Sequence, residues 1–186
     1  NQLEDNYSYI VHSNFNKSAV VVDPADARPI IENIKKNKLS LAGIIITHHH
    51  SDHAGGLRTY LTEGATIVTH EGNREYYEKV VFYPAPRTLE PDRLALNPVR
   101  TSFGGSATFQ SVTDKYVISD GRRTLDVYTL EGINHDGNML VAYLPTEKIL
   151  INADLYSPSA NPGQIPEAND NIRALNRNIQ RLNLDV

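Results

Sequence analysis

Apolar residues in this chain come as short runs separated by polar or proline- and glycine-rich punctuation. Tyr7–His12 and Ala19–Asp23 read as two strands, with the polar stretch Ser13-Asn14-Phe15-Asn16-Lys17 between them as a hairpin turn. Asp26–Lys38 has helical spacing: Ile30, Ile31 and Ile34 form an apolar stripe, and Asp26 and Pro29 suit a first turn. Ala42–Ile46 reads as a buried strand ending in Ile44-Ile45-Ile46. Leu57, Tyr60 and Leu61 predict a short helix, Ala65–Thr69 the next strand, and Asn73–Tyr83 a further helix. The order so far is β-α-β-α, which points to an α/β protein.

The stretch from Pro84 to Val112 breaks this rhythm. It holds Pro84, Pro86, Pro91, Pro98 and Gly104-Gly105 and has no clear periodicity. A long structureless loop in a small domain is usually functional, so it is expected to overhang the site and shape the substrate pocket. Lys115–Ser119 and Arg123–Leu130 then read as strands joined at Asp120-Gly121, a hairpin signal. Met139–Leu144 and Lys148–Ala153 form another pair around Pro145-Thr146. Leu155–Pro166 is a second irregular loop. A last helix carries Ile172, Leu175, Ile179 and Leu182 on one stripe.

Composition narrows the reading. With 186 residues there is enough chain for one domain with a real core, taken as 1–186. The net charge of -4, with no long run of either sign, argues against a nucleic-acid partner. There are no cysteines, hence no disulfides and no thiolate ligands. No stretch approaches the roughly 20 apolar residues of a membrane span, and no signal peptide is visible. The expectation is a soluble protein, with the cytoplasm slightly favoured, although a chain beginning at Asn1 leaves room for lost N-terminal sequence. The only partner indicated is a small-molecule substrate, and the oligomeric state is open.

The chemistry concentrates in Thr47-His48-His49-His50-Ser51-Asp52-His53-Ala54-Gly55-Gly56. His48, His50, Asp52 and His53 put four metal-ligand types into six positions directly after an apolar strand. His48 and His50 are two apart, so in extended chain they point the same way. Asp52 and His53 follow as the chain turns, and the two glycines allow a close backbone approach. His49 points elsewhere and suits packing or solvent. His70, at a strand end, is read as structural rather than as a ligand.

This pattern resembles the H-x-H-x-D-H motif of the metallo-β-lactamase superfamily. The resemblance implies a four-layer αββα sandwich with a one- or two-metal site at one edge of its sheets. Leu3-Glu4-Asp5-Asn6-Tyr7-Ser8-Tyr9 and Val20-Val21-Val22-Asp23-Pro24 look like the start of glyoxalase II, the hydroxyacylglutathione hydrolase. Thr69-His70-Glu71, Tyr143-Leu144-Pro145-Thr146-Glu147-Lys148 and Ala153-Asp154-Leu155-Tyr156-Ser157-Pro158 look more like bacterial hydrolases of the same fold with loosely defined substrates. The resemblance makes His135 the third histidine and Asp154 the bridging aspartate. It gives Asp23 a supporting role beside the ligand loop, with capping of the next helix as the equal alternative. The superfamily's last histidine, in a final strand, has no counterpart before the chain ends at Asn183-Leu184-Asp185-Val186, so the fold is expected to be truncated at its C-terminus.

The implied metal set is therefore His48, His50, Asp52, His53, His135 and Asp154, with Asp52 also catalytic. One or two zinc ions fit these ligands best, with iron or manganese open. The implied activity is a metal-dependent hydrolase that uses zinc-activated hydroxide to cleave a lactam, lactone, thioester or ester. Asp52 would orient the attacking group and carry its proton. Two alternatives stand beside this. One is a mononuclear-iron oxidoreductase of the persulfide dioxygenase type, with His48, His135 and Asp154 as its triad. The other is a non-catalytic metal-binding fragment lacking the last ligand.

Overall fold

The structure, a computed structural model, describes residues 6–82, 93–96, 108–159, 161 and 163–186. The chain forms two compact units, Asn1–Ser111 and Val112–Val186.

The first unit is built on a five-stranded sheet ordered β1-β2-β3-β4-β5. β1 (Tyr9–His12) and β2 (Ser18–Val22) pair antiparallel, while β2, β3 (Ser40–Ile46) and β4 (Thr66–His70) run parallel. β3 is central, and Ile44, Ile45 and Ile46 are all fully buried, as a parallel strand covered on both faces requires. Between β2 and β3 lies α1 (Ala27–Lys36), which buries Ala27, Ile30 and Ile34. Its cap is Asp26, whose Oδ1 accepts from Arg28 N at 3.0 Å, so Asp23 has a different task. Two short helices, α2 (Ser51–Ala54) and α3 (Leu57–Leu61), follow β3.

Two differences from the sequence reading stand out in this unit. The helix after β4 is α-helical only over Glu71–Tyr76 (α4) and widens into a π-helical turn over Tyr77–Val81. Phe82 N donates to Tyr77 O at 2.9 Å, and the wider turn lets both aromatic rings bury in one core, 6.3 Å apart. The 84–112 stretch is not structureless. It contains α5 (Arg93–Leu96), with Leu94 fully buried, and β5 (Phe109–Val112), which closes the sheet. Backbone pairing beside β4 makes that strand, with Ile67 N donating to Thr108 O at 2.8 Å. Most of the expected overhanging loop, 84–92 and 97–107, lies outside the described residues.

The second unit is an antiparallel meander, β6 (Lys115–Ser119), β7 (Thr124–Thr129), β8 (Leu140–Leu144) and β9 (Ile149–Ile151), followed by α6 (Asp170–Arg181). The β6–β7 hairpin turns at Asp120-Gly121. Gly121 takes φ 88°, and Asp120 Oδ1 accepts from Arg122 N and Arg123 N, each at 2.8 Å. α6 is capped by Asn169, whose Oδ1 accepts from Ile172 N at 2.9 Å. Its buried face mixes Ala174 and Leu175 with a buried amide, Asn178. Among the described residues, no helix is long and apolar enough to cross a membrane.

Candidate metal centre

β3 ends in the loop that carries the candidate ligands, the ligand loop. Thr47 and His48 are fully buried, and the backbone then turns so that His50 precedes α2, which carries Asp52 and His53. The turn is held from beneath by Asp23, a buried carboxylate at the end of β2. Asp23 Oδ1 accepts from Thr47 N at 2.8 Å, and Oδ2 accepts from Thr47 Oγ1 at 2.6 Å. The same Oδ2 lies 3.2 Å from His53 Nδ1. Asp23 adopts φ 49°, a left-handed conformation that aspartate tolerates better than most side chains. Of the two roles weighed from sequence, the structure shows the support of the ligand loop.

Gly55 and Gly56 are needed for space rather than for an unusual φ. A Cβ on Gly56 would fall 2.3 Å from Pro24 O, and one on Gly55 2.8 Å from Ala25 O. The glycines therefore let α2 and α3 sit directly on the 23–25 backbone, with Gly56 N donating to Pro24 O at 2.9 Å.

Proton bookkeeping fixes the histidine tautomers. Thr47 Oγ1 gives its one proton to Asp23, so at 3.1 Å it can only accept from His48 Nδ1–H. His48 Nε2 then carries the lone pair, and it faces His50 Nδ1 at 3.0 Å. By the same logic His53 Nδ1–H donates to Asp23, leaving the Nε2 lone pair 3.5 Å from Asp52 Oδ2. Ligand atoms bound tetrahedrally at 2.0–2.1 Å lie about 3.3 Å from one another. Both pairs have that spacing, and imidazole with carboxylate is the donor set zinc and related ions take, so these residues fit a metal.

The second unit supplies another such pair. His135 sits in the 131–138 connection between β7 and β8, which is closed at its base by Leu130 N donating to Met139 O at 3.0 Å. Asp154 follows β9. His135 Nε2 and Asp154 Oδ2 are 3.0 Å apart. Their neighbours Ile133 and Leu155 both belong to one apolar cluster with Leu130, Met139, Val141, Ala174 and Leu175, and this shared burial brings the two loops together.

Of the six residues singled out from sequence, His48 and His50 form one pair, Asp52 and His53 another, and His135 and Asp154 a third. His49 packs edge-on against Tyr76, with ring centroids 5.5 Å apart. His70 caps α4, its Nδ1 accepting from Gly72 N at 3.0 Å. Sequence reasoning did not single out two further contacts. Asn6 Nδ2 donates to Asp52 Oδ2 at 2.9 Å and to Asp52 O at 3.1 Å. Tyr77 Oη donates to His48 O at 3.3 Å from the π-helical turn. Nothing in the local sequence marked either contact.

Comparison with known proteins adds the context. The family model described as the metallo-beta-lactamase superfamily matches residues 3–155. The chain is 52% identical over 55 residues to a hydroxyacylglutathione hydrolase of Bdellovibrio bacteriovorus, covering 30% of this chain and 22% of that protein. It is 32% identical over 97 residues to one from Nostoc sp., covering 50% of this chain and 38% of that protein. These matches thus span well under half the length of the relatives. Among solved structures, the BLEG-1 B3 metallo-beta-lactamase superposes with TM-score 0.62 at 22% identity, covering 96% of this chain and 81% of that one. A metallo-beta-lactamase from Pontibacter korlensis gives TM-score 0.62 at 22% identity, covering 97% and 76%. TTHA1623, solved in a di-iron-bound form, gives 0.57 at 18% identity, covering 96% and 81%. At these identities the structural likeness speaks for the fold.

Proposed function

The chain belongs to the metallo-beta-lactamase superfamily, and on that premise we propose that it is a metal-dependent hydrolase of a small-molecule acyl bond. The observation that carries the reading is the facing pair His48 Nε2 and His50 Nδ1, in which His48 is held in tautomer and position by Thr47 and Asp23.

In this proposal 1–186 is one functional domain. His48, His50 and His135 would hold a first ion, and Asp52, His53 and Asp154 would hold a second. Zinc in such a set supplies Lewis acidity and lowers the pKa of a coordinated water to about 7. Asp52 takes the proton of the attacking water and passes it to the leaving group. Its side chain is half-exposed, as a group that must meet both water and substrate requires. Asp23 keeps His48 and His53 from rotating during this transfer. Lactams, lactones, thioesters and esters are the substrate classes. Thioesters come first because the relatives are named hydroxyacylglutathione hydrolases.

The test is elemental analysis of the purified protein together with a panel of thioester, lactone and lactam substrates. Zinc with acyl cleavage is expected, and His48→Ala or His135→Ala should lose both metal and hydrolysis. Iron with oxygen consumption would replace the reading with an oxidoreductase. Stoichiometric metal without any cleavage would reduce the protein to a metal-binding module.

A further inference from the structure

The residue just ahead of β1 reaches across 46 positions of sequence to the ligand loop. Asn6 gives Nδ2 to both the side-chain Oδ2 and the main-chain oxygen of Asp52, at 2.9 and 3.1 Å. Two residues later, Ser8 Oγ donates to Asp23 O at 2.5 Å. Side chains two apart in extended chain share a face, so one face of this segment grips both the ligand aspartate and the support beneath it.

We propose that Asn6 is a positioning residue for Asp52. It fixes the carboxylate through its two contacts, so that Asp52 Oδ2 stays turned toward His53 Nε2 rather than into solvent. The physical case is contrast. His53 is locked by a buried carboxylate, whereas Asp52 is half-exposed on α2, a helix of a single turn. An exposed side chain on so short an element has several rotamers open to it. An amide that bonds both the side chain and the backbone of one residue selects one of them. Partners of this kind around ligating carboxylates tune metal affinity without touching the metal.

This inference rests on the metal-centre reading above, and the experiment separates the two. Cobalt(II) is titrated into the metal-free full chain and followed by its visible absorption, for the parent, Asp52→Ala, Asn6→Ala and Asn6→Asp. Asp52→Ala identifies the equivalent that depends on Asp52. Asn6→Ala is expected to weaken that same equivalent about 10- to 100-fold while leaving the other within about twofold. Asn6→Asp, with the same shape but no N–H donors, should weaken it at least as much. Unchanged binding in both Asn6 variants, or equal weakening of both equivalents, would overturn the positioning role. A parent that takes up no cobalt would instead overturn the metal centre itself.

Discussion

The first unit builds its candidate ligand pairs from one continuous stretch, and the second builds its pair from two separate loops. His48, His53, Asp23 and Thr47 are at most 4% exposed and are bound to one another by a closed set of hydrogen bonds. The side chains of His135 and Asp154 are 26% and 27% exposed, and their loops are fixed by apolar neighbours. One half is held by polar satisfaction in a dry interior, where each missing partner is costly. The other is held by hydrophobic anchoring, which sets where a loop lies but not how its side chain turns. The first should therefore be preformed, and the second should gain more order from whatever it binds.

The sharpest way to break this contrast is at Asp23. Asp23→Ala removes the acceptor for Thr47 N, Thr47 Oγ1 and His53 Nδ1 and leaves buried donors behind. It also leaves alanine at φ 49°. A loss of about 4 kcal/mol in urea unfolding is expected. A loss under about 1 kcal/mol would show that the network is not what holds the loop.

The matching lesion in the second unit is Leu155→Ala. Leu155 is 1% exposed and adjoins Asp154, so the truncation leaves a cavity worth about 3 kcal/mol. The signature to measure is loosening of the 131–138 and 152–156 amides in hydrogen exchange, with the Thr47–His53 amides unchanged. Equal loosening at both places would mean that the halves are not independently supported.

The smallest effect concerns Tyr60 in the first unit's core. Its hydroxyl is buried without a hydrogen-bond partner among the described residues, and burial, with the charge of Asp26 second, pushes its pKa well above 10.0. Folded protein thus keeps a proton that unfolded chain gives up. The corresponding stability is intact below pH 10.0 and declines by about 1.4 kcal/mol per pH unit as pH rises beyond it. Tyr60→Phe should be neutral within about 1 kcal/mol at pH 7 and should lack this alkaline slope in urea titrations.

The same contrast explains what could be read from sequence. The apolar runs at 19–22, 43–46 and 139–144 announce buried strands because burial on both faces leaves no polar position in them. The ligand loop is legible because its residues are contiguous. His135 and Asp154 are ordinary residues in ordinary loops, and only the family resemblance drew attention to them. β5 escaped notice because Phe109-Gln110-Ser111-Val112 has no pattern of its own and becomes a strand only beside β4. The π-helical turn escaped because its cause, the joint burial of Tyr77 and Phe82, is tertiary. Asn6 and Tyr77 act on residues dozens of positions away, and no local spacing encodes that.

Asn178 gives the second unit an unexpected dependence. Its amide accepts from Glu131 N at 3.0 Å and donates to Glu131 O at 2.9 Å, completing for that one residue the pairing a neighbouring strand would have offered. Glu131 opens the very connection that carries His135. The C-terminal helix therefore works as a latch on that connection, adding two hydrogen bonds at its first residue to the apolar anchoring of the loop that carries His135.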